Sequence, residues 1–197
     1  MGPSQQAVLN VGIIGLGEVA QVIHLPVLES MPHQYRIAAL CDISPKLVAH
    51  MGEKYRVNQL YTDANELVKQ ADLDVVFVLN SDEYHAECAI AAANQGKHVL
   101  IEKPMCLTQS EADAIIEAQK ANRVKIMVGY MRRYAASFVE AVKEIGGFDK
   151  IRYARVRDII GPNRLFVKPT SHTVSFDDIP EEAKRDRTER GERLVKE

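Results

Sequence analysis

Three things are scarce in this sequence: paired cysteines, charge of one sign and long apolar runs. Its three cysteines, Cys41, Cys88 and Cys106, form no C-x-x-C pair. His85-Ala-Glu87 followed by Pro104-Met-Cys106 has part of a zinc deaminase signature. That chemistry needs P-C-x-x-C to hold the metal, so no metal site is expected. An odd, scattered set of cysteines predicts free thiols in a reducing compartment, and hence a cytoplasmic protein. The 25 basic residues against 27 acidic ones leave a net charge of −2, with no basic excess for nucleic acid. The apolar runs, such as VVFVL at 75–79, are too short to span a bilayer. The first residues, MGPSQQ, lack the charged and apolar stretches of a secretion signal, and 1–7 read as a disordered N-terminus. His24, His33, His50 and His172 show no ligand spacing with one another.

What is present is alternation. VLNVGII (8–14), RIAAL (36–40), VVFVL (75–79), HVLI (98–101) and KIMVG (125–129) read as buried strands, with a short one near Leu60–Tyr61. Helix starts lie between them. Ser44 before Pro45 is an N-cap with proline at the first helical position. Asp63 with Glu66, and Thr108 with Glu111, have capping-box spacing. Strands apolar on both faces that alternate with helices predict a parallel sheet covered on both sides. The expected class is α/β, a doubly wound parallel sheet of the Rossmann kind, followed by the start of a second α+β domain.

The first turn carries chemistry. VGIIGLGEVA places Gly15, Gly17 and Ala20 in the spacing G-x-G-x-x-A directly after a strand and at the opening of a helix. Gly15 suits the tight turn, Gly17 lets a pyrophosphate approach the backbone, and Ala20 lets the helix pack closely. The turn Gly15, Leu16, Gly17, Glu18, Val19, Ala20 then offers a helix N-terminus to phosphate groups. A bare match of this kind also occurs in glycine turns that bind nothing. Asp42 ends the next strand, where a carboxylate reaches a ribose 2′-hydroxyl and repels a 2′-phosphate. The expected cofactor is NAD in preference to NADP, with Lys46 partly offsetting the repulsion. Asp42 also reads as a turn residue before the Ser44 cap.

Residues 96–105, GKHVLIEKPM, pose a question, because a buried strand runs straight into Glu102, Lys103 and Pro104. Proline drives the residue before it out of the helical region, which ends the strand sharply at Lys103. Open α/β sheets place their ligands at the carboxyl ends of their strands. A cis Lys103–Pro104 bond is compatible with such a turn.

At this point the chain resembles the glucose–fructose oxidoreductase / inositol dehydrogenase / rhizopine catabolism (Gfo/Idh/MocA) family, from about residue 8 to about 160. Gly96, Lys97, His98, Val99, Glu102, Lys103 and Pro104 match the family's G-K-H-V-x-x-E-K-P; His85 and the GYMRRY segment (129–134) match as well. The resemblance implies that Lys103 is catalytic, orienting the substrate hydroxyl beside the nicotinamide and carrying a proton. It implies that Glu102 orients cofactor or lysine and that Arg132 lies on the cofactor side. Asn80 and Ser81 stand where the family has threonine–proline, and both can still bond ribose or nicotinamide. His85 reads either as a cofactor- or substrate-side contact or as a helix-start residue.

The resemblance also implies a carbohydrate-like substrate and a homo-oligomer in the full-length form. It divides the chain into a dinucleotide-binding domain over 8–134 and, over 135–197, a linking helix with an incomplete α+β domain. IRYARVRD (151–158) reads as a half-exposed strand whose arginines face solvent, and the mixed-sign run after 180 as a solvated helix or disordered tail. The family's Asp-x-x-x-His pair is absent, since position 168, four before His172, is Lys. Two functions stand side by side: an NAD(P)-dependent oxidoreductase acting on a sugar or polyol, and a non-catalytic dinucleotide-binding protein.

Overall fold

The computed structural model describes residues 7–157 and 164–196. They form two units, one running to Val128 and joined by 173–196, the other comprising Gly129–His172. The sequence placed the boundary near 134 and assigned all of 135–197 to a second domain; in the structure residues 173–196 pack with the first unit instead.

In the first unit, β1 (Leu9–Ile14), β2 (Tyr35–Cys41), β3 (Gln59–Tyr61), β4 (Val75–Val78), β5 (His98–Ile101) and β6 (Ile126–Val128) form one sheet. The order is β3-β2-β1-β4-β5-β6 and each pairing is parallel. This is the doubly wound order, with its switch point between β1 and β4. The helices are α1 (Leu25–Ser30), α2 (Pro45–Tyr55), α3 (Ala64–Val68), α4 (His85–Asn94) and α5 (Gln109–Asn122).

Their starts follow the caps read from sequence. The Ser44 hydroxyl accepts the Leu47 N–H at 3.1 Å. Thr108 and Glu111 complete a reciprocal capping box. Asp63 caps α3 through the Asn65 N–H, while Glu66 turns outward to Lys69 rather than back to the cap.

One apolar core joins Val76, Val78, Val99 and Ile101 to Ala89, Ala92 and Ile115; the other joins Val11, Ile13 and Leu40 to Leu25, Leu47 and Met51. Each side of the sheet is thus sealed, which is why its strands read as continuous apolar runs. Lys97 belongs to this framework: its buried ammonium donates to the Leu73 carbonyl at 2.9 Å and the Ala71 carbonyl at 3.3 Å.

The second unit holds α6 (Ala136–Ile145) and α7 (Arg164–Thr170), with short 3₁₀ turns at Met131–Tyr134 and Phe148–Lys150. Residues 151–157 form no strand, contrary to the sequence expectation. A strand needs a neighbour to complete its ladder, and none of the described residues pairs with it. Asp158, and residues 1–6 of the expected disordered N-terminus, lie outside the described residues. The run after 180 is α8 (Glu181–Lys196), which buries Leu194. Among the described residues no helix is long and apolar enough to cross a membrane.

Candidate functional site

The site forms where β1 and β4 part. Gly15 has φ +92°, and a Cβ there would lie 2.5 Å from the Asn80 backbone nitrogen, so only glycine fits. Its N–H donates to the Cys41 carbonyl at 2.8 Å, tying the turn to the end of β2. A Cβ on Gly17 would meet nothing within 4 Å. The backbone therefore faces open space at the point where a phosphate must approach. Leu16 and Ala20 are fully buried and anchor the turn, Val19 is half-buried and Glu18 exposed. The helix that follows opens as a π-turn, Ala20–His24, a form common at functional sites.

Asp42 holds the turn from the other side. Its Oδ2 accepts the Leu16 N–H at 2.7 Å and its Oδ1 the Ser44 N–H at 2.9 Å. A carboxylate has about four acceptor positions, so a ribose hydroxyl can still bond to it. Gly15, Gly17, Asp42, Asn80 and Ser81 line one cavity of about 480 Å³, with Lys184 and Arg187 of α8 on its far wall. A larger, shallower hollow between α8 and Ser81–Glu83 contains none of the glycine turn, so we place the site in the smaller cavity.

Asn80 supplies an orphan. Its Nδ2 donates to Cys88 Sγ at 3.3 Å, while its buried Oδ1 has no donor among the described residues. Buried acceptors are ordinarily satisfied. A carboxamide N–H or a ribose hydroxyl would satisfy this one, so the residues present fit a nicotinamide dinucleotide.

Glu102, Lys103 and Pro104 stand at the end of β5, outside the walls of that cavity. The Lys103–Pro104 peptide is cis. Glu102 accepts the Lys103 N–H at 3.0 Å, and its other oxygen lies 2.9 Å from His24 Nε2. Lys103 is exposed, and its ammonium takes no partner among the described residues. His85 lies elsewhere than at a ligand-facing position. It is fully buried, with Nδ1 2.7 Å from the Pro104 carbonyl oxygen and Nε2 3.0 Å from that of Asn80. It supports both loops from beneath. Arg132 lies in the second unit, in the turn Met131–Tyr134.

Burial keeps two thiols at the site protonated: Cys41 is pushed up to about 12 and Cys88 to about 11, desolvation being the largest cause for each. Sequence reasoning missed His24, Gln21 and the α8 residues. His24 was set aside for lack of a histidine partner; its partner is a carboxylate 78 residues away. Gln21 holds the Leu16 carbonyl and both backbone groups of Val174, and only its place one residue past Ala20 could have drawn attention to it.

A parallel sheet in this order, with a glycine turn at its switch point and a carboxylate ending the second strand, defines a dinucleotide-binding α/β domain. The chain belongs to the GFO/IDH/MocA oxidoreductase family with an NAD-binding Rossmann fold, whose model matches residues 9–130. Inositol 2-dehydrogenase of Salmonella typhimurium is 33% identical over 134 residues, 67% of this chain and 40% of that protein. Among solved structures, aldose-aldose oxidoreductase from Caulobacter crescentus, complexed with glycerol, is 31% identical with a TM-score of 0.65, covering 71% of this chain and 43% of that one. Levoglucosan dehydrogenase, in complex with NADH and levoglucosan, is 28% identical with a TM-score of 0.65, covering 71% and 40%. The chain therefore spans well under half the length of these relatives.

Proposed function

We propose that the protein is an NAD-dependent oxidoreductase that moves a hydride between nicotinamide and a carbohydrate-like hydroxy or keto compound. The observation that carries this reading is Lys103: an exposed ammonium with no partner among the described residues, on a backbone that the Glu102 carboxylate holds in place. Gly15, Leu16, Gly17, Glu18, Val19 and Ala20 would receive the pyrophosphate, Asp42 the ribose, and Asn80 and Ser81 the nicotinamide side. When bound, the nicotinamide supplies the hydride acceptor or donor. Lys103 Nζ then holds the reacting oxygen and carries its proton. The names of the relatives, an inositol dehydrogenase and an aldose oxidoreductase, support the substrate class. Three free cysteines support a cytoplasmic location. The exposed Phe138, Val139 and Phe148 of the second unit support self-association.

The second reading is dinucleotide binding without turnover. It is favoured by α8, whose Lys184 and Arg187 form one wall of the cavity. One experiment separates the two: titration with NADH, then a search for NADH formation from NAD and a panel of polyols and aldoses. Binding with turnover supports the oxidoreductase, binding alone supports the second reading, and no binding of either nucleotide overturns both.

A further inference from the structure

We propose that Asp178 excludes a 2′-phosphate from the adenosine end of the groove, and so selects NAD(H) over NADP(H) together with Asp42. The inference rests on the dinucleotide reading above and adds a residue to it.

The adenosine ribose of such a groove lies at the end of the second strand, here Asp42. Just beyond it α2 begins, and a helix start of 11 residues with a serine hydroxyl and a nearby lysine is a natural seat for an anion. In this protein the seat is taken from within. Ser44 Oγ donates to Asp178 Oδ1 at 2.5 Å, and the Lys46 N–H donates to Asp178 Oδ2 at 2.9 Å. Ser44 also donates its N–H to Asp42, so the two carboxylates are one residue apart through Ser44. The bond from Ser44 is the largest influence holding the Asp178 carboxyl below its usual range.

Asp178 is held there on both sides. Upstream, the Val174 N–H donates to Gln21 Oε1 at 2.8 Å, and Gln21 Nε2 donates to the Val174 carbonyl at 2.9 Å. Phe176 packs edge-on to His50 at 6.0 Å between ring centres. Downstream, Ile179 lines the cavity. The nearest lysine on the C-terminal segment, Lys184, already pairs with Glu181 at 2.6 Å and approaches Asp177 at 3.9 Å. A 2′-phosphate arriving beside Asp42 would thus meet a second carboxylate, and would find the Ser44 hydroxyl and the Lys46 backbone N–H occupied.

The test is titration of the whole chain with NADH and with NADPH, for the parent, Asp178→Asn and Asp178→Ala. Circular dichroism confirms that each is folded, and the asparagine retains an acceptor for Ser44 if the alanine does not fold. The parent should prefer NADH. Each folded variant should gain about tenfold in NADPH affinity, the scale of removing one close like charge, and change NADH affinity by no more than about threefold. A NADPH-to-NADH ratio unchanged in the folded variants, or a parent that prefers NADPH, overturns this proposal and leaves the dinucleotide reading intact. A parent that binds neither nucleotide overturns both.

Discussion

Glu102 and His24 meet across the mouth of the sheet, carboxylate oxygen to ring nitrogen at 2.9 Å, each about 14% exposed. Two segments distant in sequence are thereby joined: the helical turn Ala20–His24 that follows the glycine turn, and the turn closing β5. Glu102→Ala removes the acceptor of both His24 and the Lys103 N–H. Urea unfolding should show a loss of about 1–3 kcal/mol, the cost of leaving the largely buried His24 donor unpaired, since water can reach the Lys103 N–H. In a double-mutant cycle with His24→Ala, coupling of about 0.5–3 kcal/mol is expected, and additive losses would mean the contact carries no energy.

Lys103 should behave in the opposite way. Its ammonium has no partner among the described residues, so Lys103→Ala should leave stability within about 1 kcal/mol in the same unfolding assay. Affinity for NADH should weaken only modestly, because the glycine turn and Asp42 lie in the cavity and Lys103 does not. Turnover, where measured, should fall by about 10²–10⁴-fold. A stable variant with undiminished turnover would remove Lys103 from the chemistry.

His85 is predicted to be structural. Both of its nitrogens face backbone carbonyl oxygens, and none of its surface is exposed. His85→Ala should cost about 2–5 kcal/mol from a cavity and the loss of the ring N–H bond to a backbone carbonyl. A loss under about 0.5 kcal/mol would show that water replaces the ring without penalty.

Alkaline pH should destabilise the first unit. For Cys41 and Cys88 the folded values, about 12 and about 11, lie above the ordinary 9.0. Below pH 9.0 both states hold these protons, so stability from the thiols is complete there. Between pH 9.0 and the folded values the unfolded chain loses protons that the folded one retains, and stability falls as pH rises. Chemical unfolding at several pH values should show a shallower fall for the Cys41→Ala, Cys88→Ala double variant than for the parent.

Gln21 gives the C-terminal segment its anchor. Gln21→Ala removes both bonds to Val174. Hydrogen exchange should then quicken at Val174 and along α8, while the amides of β1 and β4 keep their protection. Unchanged exchange in 173–196 would mean that Phe176 and Leu194 suffice to hold it.

Most of the first unit was legible in the sequence. The strands and their parallel order follow from apolar runs bounded by caps, and Ser44, Thr108, Gly15 and Pro104 announce their turns through local sterics and single hydrogen bonds. Gly15, Gly17, Asp42, Asn80 and Ser81 were placed together because the doubly wound order carries the ends of β1, β2 and β4 to one edge. Contacts between residues far apart in sequence have no such local signature. The pairings of His24 with Glu102, Gln21 with Val174 and Ser44 with Asp178 span 78, 153 and 134 positions. The short-range pattern likewise promised a strand over 151–158 and a solvated helix or disordered tail after 180. Residues 151–157 form no strand because a strand exists only with a neighbour, whereas the run after 180 is a largely exposed helix that buries Leu194. Local propensity determined the elements and their order; which distant side chains close the site was decided only by packing in three dimensions.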